Sequence, residues 1–164
     1  MTRWAFTPLV AVGPLRFGMT HDEVVTALGN AVAGPVHTDK LWLTLSDWKT
    51  ITDTDFVDVG VTVYYADGAL YCVAVDASRG PRVSLDGMEL VGRVPSELER
   101  DICDYAQRRG LRGGFSPDGT VCLPEIGLVP RTQRVGDALL SRAVCAGKRD
   151  FDMWHDMPAS RQNP

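Results

Sequence analysis

The chain has 164 residues, 45% of them hydrophobic and 23% charged, so an ordinary core can form without metal or disulfide staples. Its 17 Lys and Arg against 21 Asp and Glu give a net charge of −4 with no basic block, which argues against nucleic acid as a partner. No stretch approaches the ~18 apolar residues that span a bilayer, and Cys72, Cys103, Cys122 and Cys145 lack zinc-site spacing.

Pro8, Gly13 and Pro14 interrupt the apolar residues between Met1 and Leu15, and no small-residue cleavage site follows. This reads as no signal peptide and implies a reducing, cytoplasmic location. In that setting most of the cysteines are small buried hydrophobes, although an even count permits two disulfides in an exported chain. A helix start is written at Thr20, with Glu23 three residues on as its capping-box partner. Met19 and Val24 are placed to form a hydrophobic staple, Asp22 and Glu23 face the positive helix end, and Gly29 supplies a left-handed stop.

Leu41–Leu45 has strand character, and Ser46–Asp55 reads as a polar loop. Phe56–Tyr65 alternates with period two, and Asp67-Gly68 joins it to Leu70–Val75 as a two-residue hairpin. Counting from that turn sets Tyr65 opposite Leu70, Val63 opposite Cys72 and Val61 opposite Ala74. On the other side Tyr64 meets Tyr71 and Thr62 meets Val73. Ser96–Arg109 is an amphipathic helix with Leu98, Ile102, Tyr105 and Ala106 on one stripe. Pro95 suits its first turn and Gly110 its end.

Asp118-Gly119 links Gly114–Ser116 to Val121–Leu123 as a shorter hairpin. Val135–Cys145 fits strand or helix equally, and the chain turns polar after Ala146, reading as a mobile tail over 147–164. The whole is an α+β domain over 1–146, an antiparallel sheet with short helices. It falls into two tandem helix-then-hairpin units, about 10–80 and 82–146, with Gly18/Glu23 aligned on Gly92/Glu97.

Phe17-Gly18-Met19-Thr20-His21-Asp22-Glu23-Val24, continuing to Leu28-Gly29, resembles the helix signature of the superfamily of the outer-membrane assembly lipoprotein BamE (SmpA/OmlA) and the β-lactamase-inhibitory proteins. The resemblance covers about a dozen residues. It implies a helix followed by an antiparallel sheet, two such units in the inhibitory proteins, and a sheet used to grip a protein. The chain departs from the pattern in lacking a lipobox, and its second motif has no Met-Thr.

Motifs for chemistry are sparse. No G-x-S-x-G, H-E-x-x-H or P-loop pattern occurs, and the Gly110/Gly113-Gly114 turn lacks the strand-to-helix context of a phosphate cradle. His21 reads as exposed beside Asp22, His37 falls in a loop and His155 in the tail. Asp53, Asp55 and Asp58 read as a solvated loop without the Gly and Glu of a calcium loop. No cofactor or metal is implied.

The remaining lead is aromatic. Tyr64, Tyr71, Trp42 and Trp48 lie in or beside the sheet, where an exposed face would make them interface anchors. The expected function is a non-enzymatic protein-binding module of immunity or inhibitor type acting through a sheet face. The alternatives are a small hydrolase pairing Cys or Asp with a His, and a homodimer whose seam is that face.

Overall fold

A computed structural model describes residues 1–42, 48–115 and 119–148, and for residues 39–42, 48 and 49 the backbone alone. Among the described residues thirteen strands and two helices follow in order: β1 (Arg3–Thr7), β2 (Ala11–Val12), β3 (Leu15–Arg16), α1 (His21–Ala27), β4 (His37–Trp42), β5 (Trp48–Phe56), β6 (Val61–Ala66), β7 (Ala69–Val75), β8 (Arg82–Leu85), β9 (Met88–Glu89), α2 (Pro95–Arg109), β10 (Gly114–Phe115), β11 (Val121–Cys122), β12 (Leu128–Val135) and β13 (Ala138–Ala146). A single 3₁₀ turn, Pro124–Ile126, separates β11 from β12. The fold is α+β and mainly antiparallel. No helix among the described residues is long and apolar enough to cross a membrane.

Both helices form as their caps dictate. Thr20 and Glu23 close the capping box, with the Thr20 N–H donating to the Glu23 carboxylate at 2.8 Å. That contact, foremost, and the bond from the Thr20 hydroxyl hold the Glu23 pKa below its usual value. Gly29 N–H donates to the Thr26 carbonyl and Asn30 N–H to that of Val25, a Schellman closure at the left-handed Gly29. In α2, Leu98, Ile102, Tyr105 and Ala106 are the buried residues, and Gly110 ends the helix left-handed with the same pair of bonds, Gly110 to Gln107 and Leu111 to Ala106.

The larger sheet has the order β12-β13-β7-β6-β5-β4, and the second the order β3-β2-β1-β8-β9. The second sheet is mixed, because β1 runs parallel to β8 with Trp4 beside Val83. This corrects the purely antiparallel expectation. One core fills the space between the sheets and the helices. It takes Trp4 and Phe6 from β1, Val24 from α1, Leu98 and Ile102 from α2, and Phe56, Val63, Leu70, Val73 and Val75 from the larger sheet. Each such side chain contributes about 1.5–3 kcal/mol by leaving water.

Two local expectations change and two further segments are defined. Ser46–Asp55 is no loop where it is described: β5 runs from Trp48 to Phe56, its Thr-rich alternation suiting a strand. Of the predicted strand start Phe56–Gly60, Phe56 ends β5 and the rest is a turn, closed by Val59 and Gly60 N–H on the Phe56 carbonyl, with Gly60 at φ +74°. Within Val135–Cys145, Val135 ends β12, Gly136-Asp137 is the turn, and Ala138 onward is β13, paired with β12 from Val135↔Ala138 to Leu128↔Cys145. The shorter hairpin pairs Gly114 with Cys122 and Phe115 with Val121, while Asp118 lies outside the described residues, as do Leu43–Leu45 and 149–164.

The main hairpin turns at Asp67-Gly68 as expected, with both residues at positive φ (49° and 83°). Tyr65 pairs with Leu70, but the register then slips by one. Tyr64 faces Cys72, Val63 faces Val73, Thr62 faces Ala74 and Val61 faces Val75. A bulge at Tyr71 causes the slip. Without it Cys72 and Ala74 would enter the core and Val73 and Val75 would leave it. With it Leu70, Val73 and Val75 all reach the core.

Neighbouring chain segments satisfy the backbone groups that the bulge displaces. Gly18 N–H donates to the Leu70 carbonyl at 2.7 Å, Leu70 N–H to the Met19 carbonyl at 2.8 Å, and Gly147 N–H to the Tyr71 carbonyl at 2.9 Å. The segment before α2 is held the same way on β13. Gly92 N–H donates to the Ser141 carbonyl at 2.7 Å and Ser141 N–H to that of Arg93 at 2.8 Å. Gly18 (φ +95°) and Gly92 (φ +75°) occupy the left-handed region that presents these N–H groups. The two clasps flank the short β7–β13 pairing, Cys72–Ala74 against Val144–Ala146.

The Ser141 side chain, 1% exposed, adds two bonds to the second clasp, donating to the Leu90 carbonyl and accepting from Arg93 N–H, both at 3.0 Å. Ser141→Ala leaves both backbone groups without that partner. We expect a loss of about 1–3 kcal/mol in urea unfolding, with the slope of the transition unchanged.

Candidate functional site

The larger sheet has two faces. The first belongs to the main core, to which both helices contribute. The second carries a separate cluster of small buried residues: Cys72 and Ala74 from β7, Val144 and Ala146 from β13, Val129 from β12 and Cys122 from β11. No helical residue joins it. Tyr64 and Tyr71 pack on this floor, their ring centroids 6.5 Å apart and their planes at 64°. The expected tyrosine pair is therefore present on the second face, although the bulge makes it diagonal rather than directly opposed.

Trp42 and Trp48 face each other across the β4–β5 pairing at the other end of the sheet. Their side chains lie outside the described residues.

Sequence reasoning missed the cations of this face. Arg142 alternates with Val144 and Ala146 along β13, and Arg131 is its direct cross-strand neighbour on β12. Arg142 Nε is buried with no hydrogen-bond partner among the described residues. Two like charges directly opposed cost stability in a sheet unless something neutralises them. Three carboxylates described on the face have partners of their own. Asp76 accepts from Ser78 and Arg79, and from Gln133 at 2.9 Å. Burial alone would raise the Asp76 pKa, but bonds from Gln133 and the Arg79 and Ser78 N–H groups outweigh it and hold the carboxyl far below the usual range. Asp55 accepts from the Thr62 hydroxyl at 2.6 Å, and Asp53 lies 3.6 Å from His37 Nδ1.

Burial, reinforced by Cys72, Asp53 and Asp55, pushes the Tyr64 phenol well above its ordinary pKa, and Arg142 opposes the rise. These neighbours place Tyr64 amid the charged groups of the face.

The histidines differ from expectation. His21 is not simply exposed beside Asp22: its Nδ1 lies 3.1 Å from the Tyr65 hydroxyl and its ring stacks on Phe56 at 6.2 Å. His37 belongs to strand β4 rather than a loop, and its Nδ1 has no hydrogen-bond partner among the described residues. Asp53 and Asp55 likewise belong to β5, so the acidic cluster is not one loop. Among the described residues no three of His, Cys, Asp and Glu gather as metal ligands. None of the four cysteines forms a disulfide. Cys72, Cys122 and Cys145 are buried, and burial, helped by Cys72, pushes the Cys145 thiol well up.

Two of the clefts among the described residues bear on a site. One, of about 380 Å³, lies between the Leu9–Gly18 region and the ends of β7 and β13, lined by Phe17, Leu70, Tyr71 and Lys148. The other, of about 420 Å³, is lined by Trp4, Leu28, Val59 and Arg79. Neither includes a histidine.

Burial also lifts Tyr65, to about 12. Folded-state pKa values above the ordinary ~10 mean that the neutral phenols stabilise the fold below about pH 10 and that this stability is lost as the pH climbs toward 12. We expect tyrosinate absorbance and unfolding to rise together over that window, with Tyr64→Phe reducing the steepness of the loss. Compared with known proteins, the chain matches no protein-family model, no curated protein and no solved structure.

Proposed function

We propose that the protein is a non-enzymatic binding module of immunity or inhibitor type, which grips a protein partner with the second face of its larger sheet. One observation carries this reading. A tyrosine pair sits on a floor of small buried residues beside two cross-strand arginines, on the face to which neither helix contributes. Tyrosine and arginine over a packed apolar base is the composition of interface hot spots.

The repeated clasp supports the tandem-unit reading. Gly18 and Met19 bond β7 as Gly92 and Arg93 bond β13, at the positions where the two motifs align in sequence. It accords with the resemblance to the BamE and β-lactamase-inhibitory superfamily, whose members use such a sheet to bind. Four cysteines without a disulfide fit a reducing cytoplasm.

The hydrolase reading draws on one pair, His37 and Asp53, at 3.6 Å. That separation exceeds a hydrogen bond, and a deeply buried thiol with a raised pKa is a poor nucleophile. A homodimer through the same face remains the third reading, and sedimentation that shows only monomer at high concentration removes it.

Capture from the native organism tests the proposal. A folded Tyr64→Ala/Tyr71→Ala chain should lose its partner, with hot-spot losses of about 2 kcal/mol or more, roughly 30-fold in Kd. Retention of every partner by this double variant, its near-ultraviolet circular dichroism intact, rejects the face.

A further inference from the structure

We propose a second binding site, for a small zwitterion. The cleft of about 420 Å³ at the start of the β1–β8 pair takes a free α-amino acid with a large apolar side chain, its carboxylate on Arg79 and its ammonium on Asp58. None of the residues lining this cleft belongs to the cluster of the second sheet face, so the site and the binding face stand or fall separately.

Three observations carry it. The first is that close packing fixes the walls. Arg82 N–H donates to the Thr2 carbonyl at 2.8 Å, which sets Met1 and Thr2 beside Pro81. Asp76 N–H donates to the Gly60 carbonyl at 2.9 Å, and Gly60 and Gly80 meet backbone to backbone. A Cβ on Gly80 would stand 2.6 Å from the Asp76 carbonyl oxygen and 2.8 Å from that of Gly60. The turn carrying Asp58 and Val59 is thereby held against the turn carrying Arg79. Gly13 lies against the Trp4 ring, where a Cβ would overlap it. The cleft is in place before any ligand arrives, as small-molecule sites usually are.

The second is size and lining. The volume falls at the small end of the range of ligand pockets, roughly 300–1,000 Å³. Trp4, Leu28, Val59 and Pro81 supply its apolar surface.

The third is charge. Arg79 and Asp58 line the same cleft, yet among the described residues Arg79 pairs with Asp76, 3.4 Å away, and not with Asp58. That pair engages one guanidinium nitrogen, and the Arg79 side chain is 58% exposed, so the rest of its fork is open to a ligand. Asp58 is exposed on its turn. A guanidinium fork selects a carboxylate, and a carboxylate selects an ammonium, through charge-assisted bonds. Opposite charges that share a cleft without meeting are complementary to a ligand bearing both. An α-amino acid carries the two on one carbon and leaves its side chain for the apolar wall.

Calorimetric titration and amide spectra of the isotope-labelled full chain test this, with L-phenylalanine and L-leucine as probes. At least one should bind saturably and move the amide resonances of Val59 and Gly80, while those of Cys72 and Ala74 stay in place. The amide of the bound amino acid, which lacks the carboxylate, and its N-acetyl derivative, which lacks the ammonium, should each bind about tenfold more weakly or worse. Arg79→Met should abolish the preference over the amide, and Asp58→Asn that over the N-acetyl derivative. Asp76 keeps its bonds from Ser78, Gln133 and the Arg79 N–H in the first variant, and Asp58 is exposed, so both chains should fold. No saturable binding of either probe, shifts confined to the second face, or preferences unchanged in both variants overturn the inference. Equal affinity for the amide or the N-acetyl derivative overturns it in favour of a peptide end.

Discussion

The architecture depends on the backbone polar groups of two residues, Leu70 and Tyr71. In a regular strand successive carbonyls point to opposite sides, and each buried one needs a partner. At the bulge both carbonyls take partners outside the β6–β7 ladder: Gly18 for Leu70 and Gly147 for Tyr71. Those bonds tie the start of α1 and the end of β13 to the same point on β7. They also fix the parity of the strand, so that Val73 and Val75 enter the core and Cys72 and Ala74 form the floor of the second face. A slip of one residue would exchange these sets, placing two valines where two tyrosines now rest and leaving cavities in the core.

The opening motif takes its meaning from that geometry. Thr20 and Glu23 close one helix end, Gly29 the other, and Gly18 and Met19 dock the whole on β7. The segment at Gly92 and Arg93 docks α2 on β13 with the same two bonds, although its cap lacks a side-chain bond and begins with Pro95. What the two segments share is a left-handed glycine whose N–H reaches a strand carbonyl. Chemistry is not asked of these residues: His21, the titratable group nearest the first cap, turns onto Tyr65 and Phe56 instead of toward a carboxylate or thiol.

Legibility followed the range of the forces involved. Caps, the Asp67-Gly68 turn and the buried stripe of α2 are set by residues within a turn of one another, and they were readable. The bulge was not. Its cause, bonds from Gly18 and Gly147, lies some 50 and 76 positions away in the sequence, and counting from a turn assumes an unbroken ladder. β13 hid because both its faces are apolar, which erases the period of two. The parallel β1–β8 pair joins segments that no local signal links. Tyr64 and Tyr71 were visible as a pair because a hairpin brings them together whatever the exact register. Arg131 and Arg142 were missed for want of one step: Gly136-Asp137 is itself a two-residue turn signal, and counting back from it sets the two arginines opposite each other.

That arginine pair weighs most in the functional reading. On this face Asp76 is held by Gln133, Ser78 and Arg79, Asp55 by Thr62, and Asp53 stands beside His37. Opposed like charges cost a few tenths to about 1 kcal/mol in a sheet, and a buried guanidinium N–H without an acceptor adds its own desolvation cost. A carboxylate brought to Arg142 Nε would relieve the second of these costs. The aromatic floor beside the arginines then gives that group an apolar setting, in which a charged hydrogen bond is stronger than in water. Tyr64, Tyr71, Arg131 and Arg142 thus share one sheet face, while both helices contribute to the core on the other.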